Sequence, residues 1–259
     1  MNLKLRFVAI SLLACLSTAL VAHADIKARG TDSTLKVVKA LAEAFAADTG
    51  KKIVVEGGGS GAGAKAAAAG EVTLAFLSRE LNAHEKESGL VGHSYAKDGV
   101  AIIVNKNNPV AGLTVAELKD IFTGKTTAWA DGKPVVAYNR NADSGTREVF
   151  QEHVLGKDAF SPTAAIKHDG VIISSVEKIP TAIAFTSVGE VDETKVKLVP
   201  VAGIKPSAAS LKDGSYPIAR SPTFATKGEA AGDEKAFIDF VLSPKGQALV
   251  AEHGLVAIK

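Results

Sequence analysis

The chain has 259 residues, 46% hydrophobic and only 5% aromatic, with 30 Lys plus Arg against 28 Asp plus Glu. That balance argues against a general nucleic-acid or membrane-surface binder, and so few aromatics argue against base-stacking or sugar-stacking platforms. The length supports a large core in one domain or two.

The first 24 residues have the order of a secretory signal peptide: Lys4 and Arg6, an apolar run over 7–21, and Ala22-His23-Ala24 as a small-x-small cleavage site. No later apolar run approaches the roughly 20 residues of a membrane helix. The expected mature chain starts at Asp25 and is formally neutral, 28 charges against 28, once Lys4 and Arg6 are removed. Leu13-Ala14-Cys15 loosely resembles a lipoprotein box. The apolar run continues past it, which favours cleavage after Ala24 over a lipid tether. Cys15 is the one cysteine, so the exported chain is expected to fold without disulfides.

From residue 25 a short strand leads to Gly30-Thr31-Asp32-Ser33-Thr34. A helical face follows in Val37, Val38, Leu41, Ala44 and Phe45. A β-branched strand at 52–56 precedes a Gly-rich turn and an Ala-rich helix at 62–69. The next strand, 72–77, ends at Ser78-Arg79. This βαβαβ rhythm predicts a mostly parallel sheet with helices on its faces. Residues 99–105 form a continuous apolar strand, and Asn107-Asn108-Pro109 is the candidate domain crossing. Thr114 and Glu117 predict a capping box for a helix over 115–122. A strand at 135–138 enters a polar turn that opens a helix with Ser144 as N-cap. Further on come a helical patch at 174–179, strands at 182–185 and 195–201, a polar loop at 205–217, and a closing helix over 237–251.

Three strand-to-helix turns share one chemistry: 30–34, Gly59-Ser60-Gly61, and Asp143-Ser144-Gly145-Thr146. Each sets hydroxyls at a helix N-terminus, where unpaired N–H groups and the positive end of the helix dipole favour an oxyanion. Arg79 and Arg140 stand at comparable strand ends. Other chemistries fit less well. The 58–65 stretch misses the Lys and Ser/Thr of a nucleotide P-loop, since Ala64 follows Gly63 and Ala66 follows Lys65. Ser60 lacks nucleophile-elbow spacing, with Ala62 two residues after it. The histidines have no paired spacing for a metal, so neither a metal nor a cofactor is expected.

The segments DSTLKVVKALAEAF, GGGSGAGAKA, TLAFLSREL, DGVAIIVNKNNPVAGLTVAELKDIFTGKTTAWADG, YNRNADSGTREVF, AIAFTSVGEV and YPIARSPTFATKG run in the order and spacing of a known family. Over essentially all of the mature chain, the sequence resembles the PstS-type phosphate-binding proteins of bacterial ABC uptake systems. The resemblance implies an α/β, two-lobed periplasmic-binding-protein fold of type II. It would have mixed sheets, flanking helices and a ligand cleft between lobes, with lobe 1 at 25–104 plus 218–259 and lobe 2 at 105–217. It implies a monomeric periplasmic receptor that passes phosphate to a membrane permease. Ser33, Thr34, Ser60, Arg140, Ser144, Gly145 and Thr146 match phosphate-contacting positions, and Gly61, Ser78, Arg79 and Asp98 complete the expected site.

Two departures stand out. Some members have Ser-Asp at the end of the third strand, with a carboxylate that accepts the proton of hydrogen phosphate; here it is Ser78-Arg79. Some have an Asp that orients the arginine, where this chain has Ala142. Asp98 is the first candidate for the missing proton acceptor and Asp143 the second. Alternatives are a receptor for sulfate, molybdate or a phosphonate, a secreted serine-dependent phosphatase, and an interaction module with a vestigial pocket.

Overall fold

A computed structural model of the protein describes residues 26–166 and 168–259; the expected signal peptide lies outside them. The first strands are β1 (Ile26–Gly30), β2 (Ile53–Glu56), β3 (Leu74–Leu77) and β4 (Leu90–Ser94). Then come β5 (Asp98–Asn105), β6 (Val136–Arg140), β7 (Ala165–Ile166), β8 (Ala182–Ser187), β9 (Val196–Val199), β10 (Ala219–Arg220) and β11 (Thr223–Lys227). They form two sheets. One runs β2-β1-β3-β11-β4; the other runs β10-β5-β8-β6-β7, with β9 also paired to β5. The β1–β2 and β1–β3 pairs are parallel, as the βαβ rhythm predicts, while β11 runs antiparallel to both β3 and β4.

Sheet membership moves the expected crossing. Strand β5, read as the end of lobe 1, is the hub of the second sheet and pairs with β8, β9 and β10. The chain therefore passes between sheets at 95–97 rather than at 107–109, and it returns at 221–222, between β10 and β11. An apolar run cannot report which sheet it joins, because either interior accepts it.

Every residue of β5 is buried. Val100, Ile102 and Val104 enter one core with Leu118, Phe122, Phe150 and Phe185, while Ala101 and Ile103 enter another with Ile172 and Val176. This is the period-2 alternation of a strand covered on both faces. Phe150 and Phe185 stack with ring centroids 4.2 Å apart. In the first lobe, Val37, Val38, Leu41 and Phe45 of α1 (Leu35–Thr49) pack with Phe224 and Phe237.

The Ala/Gly-rich segment owes its composition to close packing. In α2 (Ser60–Ala69), Ala64 and Ala67 lie against Ala75 and Leu77 of the sheet. A Cβ on Gly63 would sit 2.5 Å from the Arg29 carbonyl oxygen, so only glycine lets the helix lie this near the strand.

Later helices are α3 (Ala83–Glu87), α4 (Val115–Phe122), α5 (Gly145–Phe150), α6 (Asp169–Lys178), α7 (Ala208–Lys212), α8 (Gly232–Val241) and α9 (Pro244–Glu252). The Thr114/Glu117 capping box forms as expected, with both reciprocal bonds present. The expected closing helix is two helices. Pro244 lacks an N–H and takes the first helical position of α9, while Ser243 caps it by accepting from Gly246 N–H. The helix expected at 174–179 begins earlier, at Asp169, and the loop expected at 205–217 holds α7.

Candidate anion site between the lobes

The three turns meet where the lobes face each other. Thr34 is the N-cap of α1, Ser60 is the first residue of α2, and Ser144 caps α5 by accepting from Arg147 N–H at 3.3 Å. The Gly145 and Thr146 N–H groups, at the start of α5, have no partner within the helix. Ser33, Thr34, Ser60, Ser78, Arg140, Ser144 and Thr146 are all buried, none more than 3% exposed. Hydroxyls so far from water need partners: Ser33, Ser60, Ser78 and Thr146 find them in this cluster, Ser144 in the Arg147 N–H, and Thr34 Oγ1 has none among the described residues.

On the first lobe, the Thr31 hydroxyl donates to Ser78 Oγ, which lies 3.3 Å from Ser60 Oγ; Ser78 N–H donates to Ser60 Oγ at 3.1 Å. Across the cleft, Ser33 Oγ lies 3.0 Å from Thr146 Oγ1 and donates to Asp169 Oδ2 at 3.2 Å. Gly145 presses against the first lobe so closely that a Cβ there would be 2.2 Å from Ser60 Oγ and 2.6 Å from Ser78 Oγ. Gly59, with φ 110°, meets the Asp143 carbonyl in the same way.

Two buried ion pairs frame this cluster. Arg140 Nη1 pairs with Asp169 Oδ1, which also accepts from the Thr186 hydroxyl. Arg220 pairs with Asp98, its Nε and Nη2 reaching Oδ2 at 2.9 and 2.6 Å. Asp169 thus takes the arginine-orienting place left by Ala142. It comes from 29 residues further along the chain, on a different element. Asp169 and Arg220 were not among the expected site residues. Asp169 lies ahead of the helix expected at 174–179, and Arg220 stands in the YPIARSPTFATKG segment, so nothing local marks either.

Two expected residues, Arg79 and Gly61, are placed differently, and Asp98 is more deeply buried than a loop position requires. Arg79 is not directed at the hydroxyl cluster. Glu85 holds its guanidinium from two sides at 2.7 and 2.8 Å, and Glu148 of the second lobe pairs with its Nε. An arginine whose carboxylate partners fill its fork has little left for an anion. Burial pushes the Glu148 carboxyl above its ordinary range, and Arg79 opposes that shift. Gly61 donates its N–H to the Asp143 carbonyl at 3.4 Å and sits at the rim. Asp98 is buried at 1% exposure, the partner of Arg220 and Ser187 rather than a solvated loop aspartate; its Oδ1 has no hydrogen-bond partner among the described residues. Asp143 is exposed. Rim pairs also bridge the lobes, with Lys36 Nζ 2.9 Å from Glu190 Oε2.

Residues 17–245 match the family model described as a PBP superfamily domain, the class of two-lobed binding protein that this fold and cleft define. The phosphate-binding protein PstS of Bacillus subtilis is 32% identical over 251 residues, covering 92% of this chain and 82% of the relative. Among solved structures, a Clostridium perfringens substrate-binding protein assigned to a phosphate ABC transporter, with bound phosphate, superposes with a TM-score of 0.86. It is 36% identical, with 91% of this chain and all of that one covered. An ABC-type phosphate transport receptor from Vibrio cholerae gives a TM-score of 0.78 at 27% identity, over 90% of this chain and 99% of that one. The chain belongs to the PBP superfamily and, within it, to the PstS-type phosphate-binding proteins.

Proposed function

We propose that the protein captures inorganic phosphate between its lobes and delivers it to an ABC permease from outside the cytoplasmic membrane. The observation that carries this reading is the buried interlobe cluster of Ser33, Ser60, Ser78, Thr146 and Arg140, in which hydroxyl donors from both lobes converge beside a guanidinium. Such a site offers many hydrogen bonds to a small tetrahedral oxyanion, and charge-assisted bonds of this kind are the strong ones. The 36%-identical relative solved with phosphate supports the choice of anion. Thr34, Ser144 and Gly145 complete the contact set, which acts in a monomer.

Asp98 is the proton acceptor in this reading. Its Oδ2 is held by Arg220 and Ser187, which leaves Oδ1 as a buried carboxylate oxygen with its lone pairs open. Thr34 Oγ1, at an expected contact position, is buried and likewise has no hydrogen-bond partner among the described residues. A carboxylate can accept the P–OH proton of hydrogen phosphate, whereas sulfate brings none and meets unanswered negative charge. A serine-dependent phosphatase is the weaker reading, because the site hydroxyls bond to one another, to arginine and to Asp169 rather than to a histidine base.

Calorimetric titration of refolded protein with phosphate, sulfate and molybdate tests the assignment. Saturable 1:1 binding of phosphate, with sulfate far weaker, is expected. Binding of sulfate or molybdate with none of phosphate would overturn it, and turnover of a chromogenic phosphate ester would restore the enzyme.

A further inference from the structure

Arg220 is a buried cation outside the set of residues expected to touch the anion. It ends β10, directly opposite Asp98 in the antiparallel register with β5, so the two side chains lie on the same face. Both side chains are 1% exposed. Asp98 Oδ2 takes Nε and Nη2 and also accepts from the Ser187 hydroxyl at 2.7 Å. This fixes the plane of the guanidinium. Its Nη1 then donates to Thr146 Oγ1 at 2.8 Å.

That last bond has a direction. A guanidinium has donors and no acceptor, so Thr146 Oγ1 must receive, and its own proton must go elsewhere. Among the described residues, the other hydrogen-bond neighbour of Thr146 Oγ1 is Ser33 Oγ, 3.0 Å away across the cleft. Ser33 in turn donates to Asp169 Oδ2 at 3.2 Å. The polarity therefore runs from Arg220 through Thr146 and Ser33 to Asp169: the Thr146 proton points across the cleft at Ser33 Oγ, and an anion entering between the two would take that proton in place of Ser33. A threonine hydroxyl without such a donor behind it rotates freely and loses part of its donor strength to that freedom.

We propose that Arg220, held by Asp98, is a positioning residue of the anion site that acts through Thr146, orienting its hydroxyl as a donor to the bound anion. This rests on the phosphate reading above. In this role Arg220 acts through Thr146 rather than as a direct ligand of the anion. Its effect on affinity passes through one oxygen atom, and that is what can be tested.

The test is a double-variant cycle on phosphate affinity using Arg220→Lys and Thr146→Val. Lysine keeps the positive charge beside Asp98 but cannot hold Asp98 and Thr146 in one planar fork. Arg220→Lys is expected to weaken phosphate binding about tenfold in the wild-type background, the scale of one lost charge-assisted bond. In the Thr146→Val background the same substitution is expected to change affinity less than about twofold, since the oxygen it acts through is gone. Thr146→Ser, which keeps the hydroxyl, should restore most of the affinity lost in Thr146→Val. Melting temperatures without added phosphate report structural damage and should fall equally in both backgrounds. Equal losses of affinity from Arg220→Lys in both backgrounds would overturn the proposal. If Arg220→Lys does not fold, Arg220→Gln takes its place in the cycle, with Asp98 left intact because it is itself placed at the anion, and is judged by the same coupling. A wild type with no saturable phosphate binding refutes the functional reading, and this role with it. A wild type that binds phosphate, with losses that multiply independently, refutes only the role of Arg220.

Discussion

Gly145→Ala should separate closure from folding. Gly145 is the first residue of α5, and its backbone is ordinary helix, outside the positive-φ region. Alanine is the better helix former, so the second lobe should be unharmed or stabilised by about 0.5–1 kcal/mol at most. The obstacle lies across the cleft. The new Cβ would stand 2.2 Å from Ser60 Oγ and 2.6 Å from Ser78 Oγ, where ordinary contact begins at 3.4 Å. The difference, 3.4 − 2.2 Å, requires the lobes to part by about 1.2 Å at this point. Neither serine can yield easily, since both are fully buried and bonded to each other, while Ser60 Oγ also accepts from the Ser78 N–H and Ser78 Oγ from the Thr31 hydroxyl. Parting by that distance takes a hydrogen bond of ordinary length beyond 3.5 Å, where it no longer counts as one. Two first-lobe donors lost from a charged ligand, at about 1.5–3 kcal/mol each, amount to a loss of at least a hundredfold in affinity. Calorimetry with phosphate measures the loss, and differential scanning calorimetry without it measures stability. Affinity within threefold of wild type would show that the lobes bind phosphate without this contact. A parallel fall in melting temperature would show damage to α5 instead.

Arg140→Ala should weaken phosphate binding by about 2–5 kcal/mol, the loss of a charge-assisted partner in a closed site, and Arg79→Ala by far less, because Glu85 and Glu148 hold that guanidinium. The reverse order in calorimetric titrations would mean that the anion sits beside Arg79. Asp98→Asn should narrow the phosphate-to-sulfate affinity ratio, whereas Asp143→Asn, on the exposed side of its turn, should leave it nearly unchanged. Asp98→Asn also leaves Arg220 buried without its charge partner, so a fall in stability of about 3–5 kcal/mol should accompany it. An unaltered ratio in competition titrations would remove Asp98 as the proton acceptor. The Glu117 carboxyl, which accepts from the Thr114 N–H and hydroxyl, should titrate below its ordinary 4.5. Its folded midpoint is depressed, so the cap's contribution is complete above pH 4.5 and fades as pH falls through that midpoint. Carbon NMR titration of the Glu117 side chain checks this, and a midpoint at or above 4.5 would contradict the capping geometry.

What the chain by itself determined is local. Thr114 and Glu117 make a capping box three residues apart, and the helix starts and stops where that box and the apolar face dictate. Ser33, Ser60, Ser144 and Thr146 mark turns at helix starts because a hydroxyl beside unpaired N–H groups is a short-range arrangement. The fold class followed from the same local rhythm of strands and helices, read together with the family resemblance. Pro244 belongs here too: Ser243-Pro244 is a helix start readable in the sequence, and the apolar face on either side of it concealed the break.

What only the tertiary structure decided is pairing over distance. Arg140 finds Asp169 in place of a neighbour in its own turn, and Arg220 finds Asp98 from 122 residues away. Nothing in the spacing of either pair distinguishes it from a solvated charge, because the low dielectric that makes the pair matter exists only once both lobes are packed. Arg79 shows the converse. Its place at a strand end suggests an anion ligand, but Glu85 and Glu148 claim it, and Glu148 reaches it from the other lobe. The sheet to which 98–105 belongs was likewise settled by partners. An all-apolar strand satisfies either core, and only hydrogen bonds to β8, β9 and β10 place it in the second.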